Sequence, residues 1–123
     1  MKINSKPTRA NFGGSCEYVV AADLMAKGWE VFMHCGANSK ADIVARSATE
    51  VLFFEVRQPY VGVDGFVAFN AKSGDNCDFY AGVVNGDVVY SSFKEQTGRK
   101  GRKKARKWEE PYKPPGSSKS QKP

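Results

Sequence analysis

Two carboxylates lie in apolar segments that otherwise have the composition of buried strands. Asp42 opens the run 41–46, and Glu55 lies near the end of the run 51–58. An acid inside an apolar strand costs free energy unless something pairs with it. Two such acids on neighbouring strands form an oxygen-rich cavity of the kind that binds Mg²⁺ through carboxylates, waters and phosphate oxygens. This pattern points to metal-dependent cleavage of a nucleic-acid backbone.

A helix precedes these strands and carries a third acid. We predict that the helix opens at residues 13–15 with Ser15 as its N-cap, and that it ends at Lys27 and Gly28. Glu17 would then lie in the first turn, where a negative charge is favoured by the helix dipole. The same carboxylate is also a candidate for metal chemistry.

The rest of the domain has the pattern of strands. Alternation of apolar and polar residues predicts strands over 29–33, 42–46 and 51–57, the last two as an antiparallel hairpin. Segments 78–84 and 87–90 predict a second hairpin, because Asn85-Gly86 is a strong two-residue turn signal. Residues 60–77 fit either a short helix or an extended segment. The order predicts a small α/β domain with a mixed sheet of about five strands.

Length and composition favour one domain and exclude several classes. The chain has 123 residues, of which 41% are hydrophobic, and no apolar run approaches a membrane span. The N-terminus lacks the pattern of a secretory signal, and the three cysteines lack CxxC spacing. We therefore expect no membrane association, reduced thiols and no zinc site. The expected location is the cytoplasm, in association with the nucleoid, or the nucleus in a eukaryotic host.

The positive charge is concentrated at the C-terminus. Residues 1–98 carry nine basic and eleven acidic residues, a net charge of −2, whereas 99–123 carry ten basic and two acidic residues, a net charge of +8. We divide the chain into an N-terminal arm (1–12), a domain (13–93) and a basic Pro/Lys-rich tail (94–123) that stays disordered unless bound. Such a tract suits a polyanion, although a solvated tail is the alternative. The candidate nucleic-acid contacts are Lys40, Arg99, Lys100, Arg102, Lys103, Lys104, Arg106 and Lys107.

Taken together, the order and the motifs resemble the PD-(D/E)XK nuclease superfamily, and in particular its small Holliday-junction-resolvase-like and homing-endonuclease-like members. The resemblance covers roughly residues 13–92. It lies in five short segments, namely Gly14-Ser15-Cys16-Glu17, Lys27 to Phe32, Ala41-Asp42-Ile43-Val44, Phe54-Glu55-Val56-Arg57 and Cys77 to Ala81. It implies a restriction-endonuclease-like core.

The resemblance also implies roles for the acids. Asp42, Glu55 and the backbone carbonyl of Val56 would hold Mg²⁺ or Mn²⁺, and Glu17 would be an additional ligand or would orient water. The implied activity is endonucleolytic hydrolysis of phosphodiester bonds in DNA. Branched DNA is a candidate substrate and a homodimer a candidate assembly.

One departure from the family bears on catalysis. The Lys expected two residues after the second acid is Arg57, which stays protonated and offers a planar fork to phosphate rather than a general base. Gln58 could orient water instead, and Lys40 or Lys72 could supply an ammonium group. His34 is either a proton shuttle or a structural histidine.

Three hypotheses therefore stand. The first is a metal-dependent endonuclease, and the second is a nuclease-fold protein that binds nucleic acid without cutting it. The third is an unrelated interaction module in which the carboxylates of Asp42 and Glu55 diverge at the strand ends.

Overall fold

The computed structural model describes residues 9–33, 41–98, 104–107 and 114–115, with side chains in the first helix described from residue 15 onward. A long helix precedes seven strands and a short second helix. Their bounds are α1 Arg9–Ala26, β1 Glu30–Met33, β2 Ile43–Arg46, β3 Val51–Val56, β4 Tyr60–Val61, β5 Val67–Ala68, β6 Phe79–Val84, β7 Asp87–Ser92 and α2 Phe93–Thr97. Of the helices in these ranges, none has the length and apolarity needed to cross a membrane.

The main sheet is mixed and five-stranded, which confirms the predicted α/β class. Its order is β1-β2-β3-β6-β7, and every neighbouring pair is antiparallel except β3 and β6, which are parallel. The hairpin of β2 and β3 pairs Ile43 with Phe54, and the parallel pair places Phe54 beside Phe79. A parallel pair needs a crossover connection, which here is residues 57–78.

Helix α1 begins earlier than its sequence indicated. It starts at Arg9, so Ser15 lies inside the helix and the prediction that it is the N-cap is wrong. Two consecutive glycines suggested a break, yet helix continues through both, because packing against the sheet outweighs a glycine cost of about 1 kcal/mol each. Glu17 accordingly lies near the third turn of α1 and not in the first, so the helix dipole does not explain an acid there.

The two faces of the sheet bury different clusters. On the helix face, Val20 and Leu24 of α1 pack on Ile43, Phe54 and their neighbours. On the opposite face, which we call the outer face, the buried residues are Val67, Phe69, Tyr80, Val89 and Ala105. Side chains alternate along a strand, and Glu55 pairs in register with Tyr80, so both belong to the outer face.

The crossover is extended and contains a small second sheet of β4 and β5. It ends at Asp78, whose carboxylate accepts a hydrogen bond from the Phe53 N–H at 2.8 Å. The hairpin of β6 and β7 is confirmed, with Asn85 at φ 50° and Gly86 at φ 82° in the turn. Positive φ at both central positions is what a type I′ turn requires.

Part of the basic tail lies on the sheet. Arg106 forms an antiparallel bridge with Tyr90 of β7, and Ala105 and Pro114 are buried. Residues 104–107 of the tail thus meet the edge strand β7, which offers unpaired backbone groups. Trp108 and Tyr112, which we expected to dock or to stack on bases, lie outside the described residues.

Candidate active site

Asp42 precedes β2 and is held against β3 at two points. Its N–H donates to the carbonyl of Phe54 at 3.1 Å, and its Oδ2 accepts the N–H of Val56 at 2.8 Å. The carboxylate therefore lies against the peptide unit that joins Glu55 to Val56. The hairpin brings the two predicted acids to the same end of the β2–β3 pair, as the sequence indicated.

Arg57 lies between two carboxylates on the outer face. Its Nη2 donates to Glu55 Oε1 at 3.0 Å and to Asp75 Oδ1 at 2.8 Å, and its Nη1 donates to the carbonyl of Asn70 at 2.6 Å. Its guanidinium carbon lies 5.3 Å from the centroid of the Tyr80 ring. A planar fork with several donors can satisfy all these acceptors at once, which an ammonium group could not do with the same geometry.

Asp75 was missed by the sequence analysis, although it has more partners than either predicted acid. Besides Arg57, its carboxylate accepts the Tyr80 hydroxyl at 2.6 Å and the Lys72 N–H at 2.8 Å, both at Oδ2. Its side chain is 11% exposed. In the sequence Asp75 stands beside Gly74 in a polar turn, which is the ordinary context of a turn acid. The pairing with Arg57 depends on the crossover, which local patterns do not report.

Hydrogen bonds and ion pairs within the cluster keep the side chains of Asp75 and Arg57 ionised. Burial alone would raise the pKa of Asp75, but hydrogen bonds from Arg57 and Tyr80 outweigh it and lower that pKa to about 2. Burial opposes the charge of Arg57, yet the bonds to Asp75 and Glu55 raise its pKa above the ordinary value. Arg57 therefore stays a cation and cannot remove a proton from water. Burial, followed by the charge of Glu55, raises the pKa of Cys77 to about 12, so this thiol is a poor nucleophile.

A hollow of about 480 Å³ opens beside the cluster and is lined by Glu55, Gly74, Asp75 and Asn76. Its wall consists of two acids and two small or neutral residues. Carboxylate oxygens are the ligands that hard divalent cations prefer. The hollow can accept a hydrated cation more readily than a bare phosphate.

Gln58 and Glu17 belong to the α1 side of the sheet. Gln58 lines a cleft of about 490 Å³ together with Ser15 and Cys16 of α1, apart from the cluster around Arg57. Glu17 is half-buried, three residues before the buried Val20, and therefore on the sheet-facing side of the helix. The roles predicted for both in catalysis remain predictions.

The donor set fits a divalent cation in part. The carboxylates of Asp42 and Glu55, together with the main-chain carbonyl of Val56, are oxygen ligands of the kind that Mg²⁺ and Mn²⁺ take. Across the described ranges, however, no three His, Cys, Asp or Glu side chains converge as a metal-binding group. Glu17 is thus not brought into one cluster with Asp42 and Glu55 in this structure, and Arg57 holds one side of Glu55.

Several predicted contacts cannot be placed. Lys72 is described and exposed, and its main chain supports Asp75. Three of the tail cations are described, and they lie beside β7. The candidates outside the described residues are His34, Lys40, Arg99, Lys100, Arg102 and Lys103.

Comparison with known proteins gives a likeness of fold. No protein-family model and no curated protein matches the sequence. The structure is similar to that of a bacterial homing endonuclease, I-Ssp6803I, with a TM-score of 0.59 and 13% sequence identity, over 72% of this chain and 71% of that chain. At this identity the likeness concerns architecture, so the protein has a nuclease-like fold.

Proposed function

We propose that this protein is a metal-dependent DNA endonuclease of the PD-(D/E)XK type. The observation that carries the proposal is the contact of the Asp42 carboxylate with the Val56 N–H at 2.8 Å, in a nuclease-like fold. It gathers Asp42, Glu55 and the Val56 peptide at one end of a rigid hairpin. Oxygen ligands on adjacent strands are positioned with little loss of entropy when a cation binds.

Asp42, Glu55 and the Val56 carbonyl would hold Mg²⁺ or Mn²⁺, whereas Glu17 lies on the α1 side of the sheet, opposite to Glu55, and is not assigned to this cation. The cation, when bound, supplies Lewis-acid stabilisation of the phosphoryl oxygens and an acidified water. Arg57 fixes Glu55 through its bond at 3.0 Å and contributes positive charge near the scissile phosphate. Gln58 lines the separate cleft on the α1 side and is not assigned a part in this step.

Two finer features belong to the same proposal. Branched DNA is the substrate suggested by the resemblance to Holliday-junction resolvases, and a homodimer would place two sites on two strands. Both are separable from cleavage itself. A four-way junction and a linear duplex of the same sequence distinguish the first, and sedimentation of the protein with and without DNA distinguishes the second.

The test is a cleavage assay with a matched pair of variants. We expect wild-type protein to cut DNA with Mg²⁺ or Mn²⁺, and Asp42→Asn to bind DNA normally with cleavage below about one hundredth of wild type, because a ligand is lost. Asp64→Asn makes the same change at an exposed turn away from both the site and the tail, and it should cut normally. The proposal would be refuted if the wild-type protein binds DNA but cuts neither the junction nor the duplex.

A non-cleaving DNA-binding protein is the second candidate. The observation in its favour is Arg57, whose guanidinium is bonded to Glu55 and Asp75 where the family has a lysine. Mn²⁺ binding followed by electron paramagnetic resonance separates the two. Binding that disappears in Asp42→Asn supports the enzyme, and DNA binding by a protein that takes up no Mn²⁺ supports the binder.

A further inference from the structure

Four residues of the basic tail extend the main sheet. The N–H of Tyr90 donates to the carbonyl of Arg106 at 2.9 Å, and the N–H of Arg106 donates back to Tyr90 at 3.1 Å. The N–H of Ala105 donates to the carbonyl of Val67 at 2.8 Å, which ties the segment to β5 as well. We call residues 104–107 the anchor strand. It covers the edge of β7 and joins the two sheets.

Ala105 fastens the anchor strand to the outer face. It is 2% exposed and belongs to the buried cluster of Val67, Phe69, Tyr80 and Val89. Tyr80 from the same cluster donates its hydroxyl to Asp75 beside Arg57 and Glu55. Ala105 and the candidate active site therefore share the outer face, whereas Arg106, which pairs with Tyr90, lies at the β7 edge toward the helix face.

The remaining side chains of the anchor strand are exposed cations. Arg106 is 49% and Lys107 66% exposed. Each has a partner, with Arg106 at 3.3 Å from Glu95 and Lys107 at 3.8 Å from Asp87. The pair of Lys107 and Asp87 is exposed at both ends, so it is weak and exchanges readily for a phosphate group, whereas the Glu95 side chain is 11% exposed and holds Arg106 more firmly.

A net charge of −2 over residues 1–98 makes the rest of the chain unattractive to DNA. The candidate site itself presents Asp42, Glu55 and Asp75, which repel phosphates. Cations held at a fixed place at the edge of the same sheet offset this repulsion and guide the duplex, whereas cations on a free tail would bind phosphates anywhere within reach.

We propose that the anchor strand is a pre-positioned binding element for the phosphate backbone of DNA, held on β7 by Ala105 so that bound DNA lies along the β7 edge of the sheet. This inference rests on the proposed function, since it assumes that DNA is the partner. It differs from a flexible basic tail because binding depends on the anchor as well as on the charge.

Two variant pairs break the anchor and keep a matched control. Ala105→Gln places a polar side chain in the buried cluster without changing charge, and Ala48→Gln makes the same change in an exposed turn. Arg106→Pro removes the N–H that bonds Tyr90, while Arg106→Gln loses the same charge and keeps that N–H. A double variant, Lys104→Gln with Lys107→Gln, removes charge and leaves the anchor intact.

The assay is fluorescence anisotropy of a labelled duplex over a range of salt concentrations, with hydrogen exchange of the Tyr90 amide as the readout of anchoring. We expect Ala105→Gln and Arg106→Pro to bind DNA about tenfold more weakly than their controls, because ordering the released segment costs entropy. The Tyr90 amide should exchange faster in both. The plot of log affinity against log salt has a negative slope, and in the double lysine variant this slope should become shallower by about 1.8, the value for two phosphates.

Each result bears on one of the two proposals. Unchanged affinity in Ala105→Gln and Arg106→Pro, with fast exchange at Tyr90, would overturn the anchor inference and leave the nuclease proposal standing. If the anchor variants bind DNA more weakly than wild type but the wild type cuts no DNA, the anchor inference is supported and the nuclease proposal is refuted. A wild type that binds no DNA would overturn both.

Discussion

Replacing Asp75 with Asn tests whether the cluster around Arg57 holds the crossover in place. The Asp75 carboxylate accepts three hydrogen bonds, from Arg57, Tyr80 and the main chain of Lys72, at 2.6 to 2.8 Å. An amide has the same shape but one acceptor oxygen, so its NH₂ group must face a donor. Arg57 keeps Glu55 as a partner and is not left as an isolated buried charge.

The expected loss follows from these contacts. A hydrogen bond to a charged group contributes about 1.5–3 kcal/mol. With the amide oxygen at the Oδ2 position only the Arg57 bond is lost, and this orientation is favoured because the opposite one loses the bonds from both Tyr80 and Lys72. We therefore expect Asp75→Asn to lower the free energy of unfolding by about 2–3 kcal/mol. For a domain of this size that corresponds to a melting temperature lower by about 10 °C.

The pH dependence gives an independent check. The pKa of Asp75 is about 2 in the folded state, below its ordinary value of 3.8 in an unfolded chain. Since the unfolded state takes up the proton first, the stabilisation by Asp75 is fully present above about pH 4 and is lost as the pH falls toward 2. The difference between wild type and Asp75→Asn should therefore shrink over that interval.

Thermal denaturation followed by circular dichroism, at pH 7 and at steps down to pH 2.5, measures both effects. The control is Asp64→Asn, at an exposed turn where the amide oxygen can still accept the Phe66 N–H, and it should change stability by less than about 0.5 kcal/mol. A melting temperature of Asp75→Asn equal to wild type at pH 7 would refute the reasoning. So would a difference that stays constant down to pH 2.5.

Two further substitutions test the backbone that carries the site. Gly82→Ala would place a Cβ 2.5 Å from the carbonyl oxygen of Arg57 and 2.6 Å from the Pro59 ring. We expect the free energy of unfolding, measured by urea denaturation, to fall by about 3 kcal/mol. The control is Gly74→Ala, whose Cβ meets nothing within 4 Å and which should be nearly neutral. Asn85 has φ 50°, a left-handed conformation that alanine rarely adopts, so Asn85→Ala should lower the free energy of unfolding by about 1 kcal/mol. Asn85→Gly is the tolerated control. Equal stabilities within either pair of variants would contradict the geometry.

Local patterns were sufficient for the strands and both hairpins. Alternation marks β2 and β3, and Asn85-Gly86 marks the β6–β7 turn, because each depends on residues close in sequence. The contact of Asp42 with β3 follows from the same hairpin. The start of α1 was missed because consecutive glycines lower helix propensity, and packing of the helix on the sheet overrides that local effect.

Non-local pairing accounts for the features that the sequence did not reveal. Asp75 meets Arg57 because the crossover returns the chain to pair β6 parallel with β3, and nothing in residues 70–78 alone specifies that partner. The anchor strand is a second case. A basic segment with a single small apolar residue, Ala105, has the composition of a disordered tail, and its place depends on an open strand edge.

The side chains of Arg57 and Asp75 depend on each other for their hydrogen bonds. A lysine at position 57 would need one carboxylate partner, but a guanidinium has five donors, and leaving them unpaired at a half-buried site is costly. Asp75, the Asn70 carbonyl and the Tyr80 ring supply the additional partners. Because the same bonds keep Arg57 protonated, position 57 serves to hold charge and to orient Glu55. In the proposed endonuclease, removal of a proton from water must therefore fall to a group other than the side chain of residue 57.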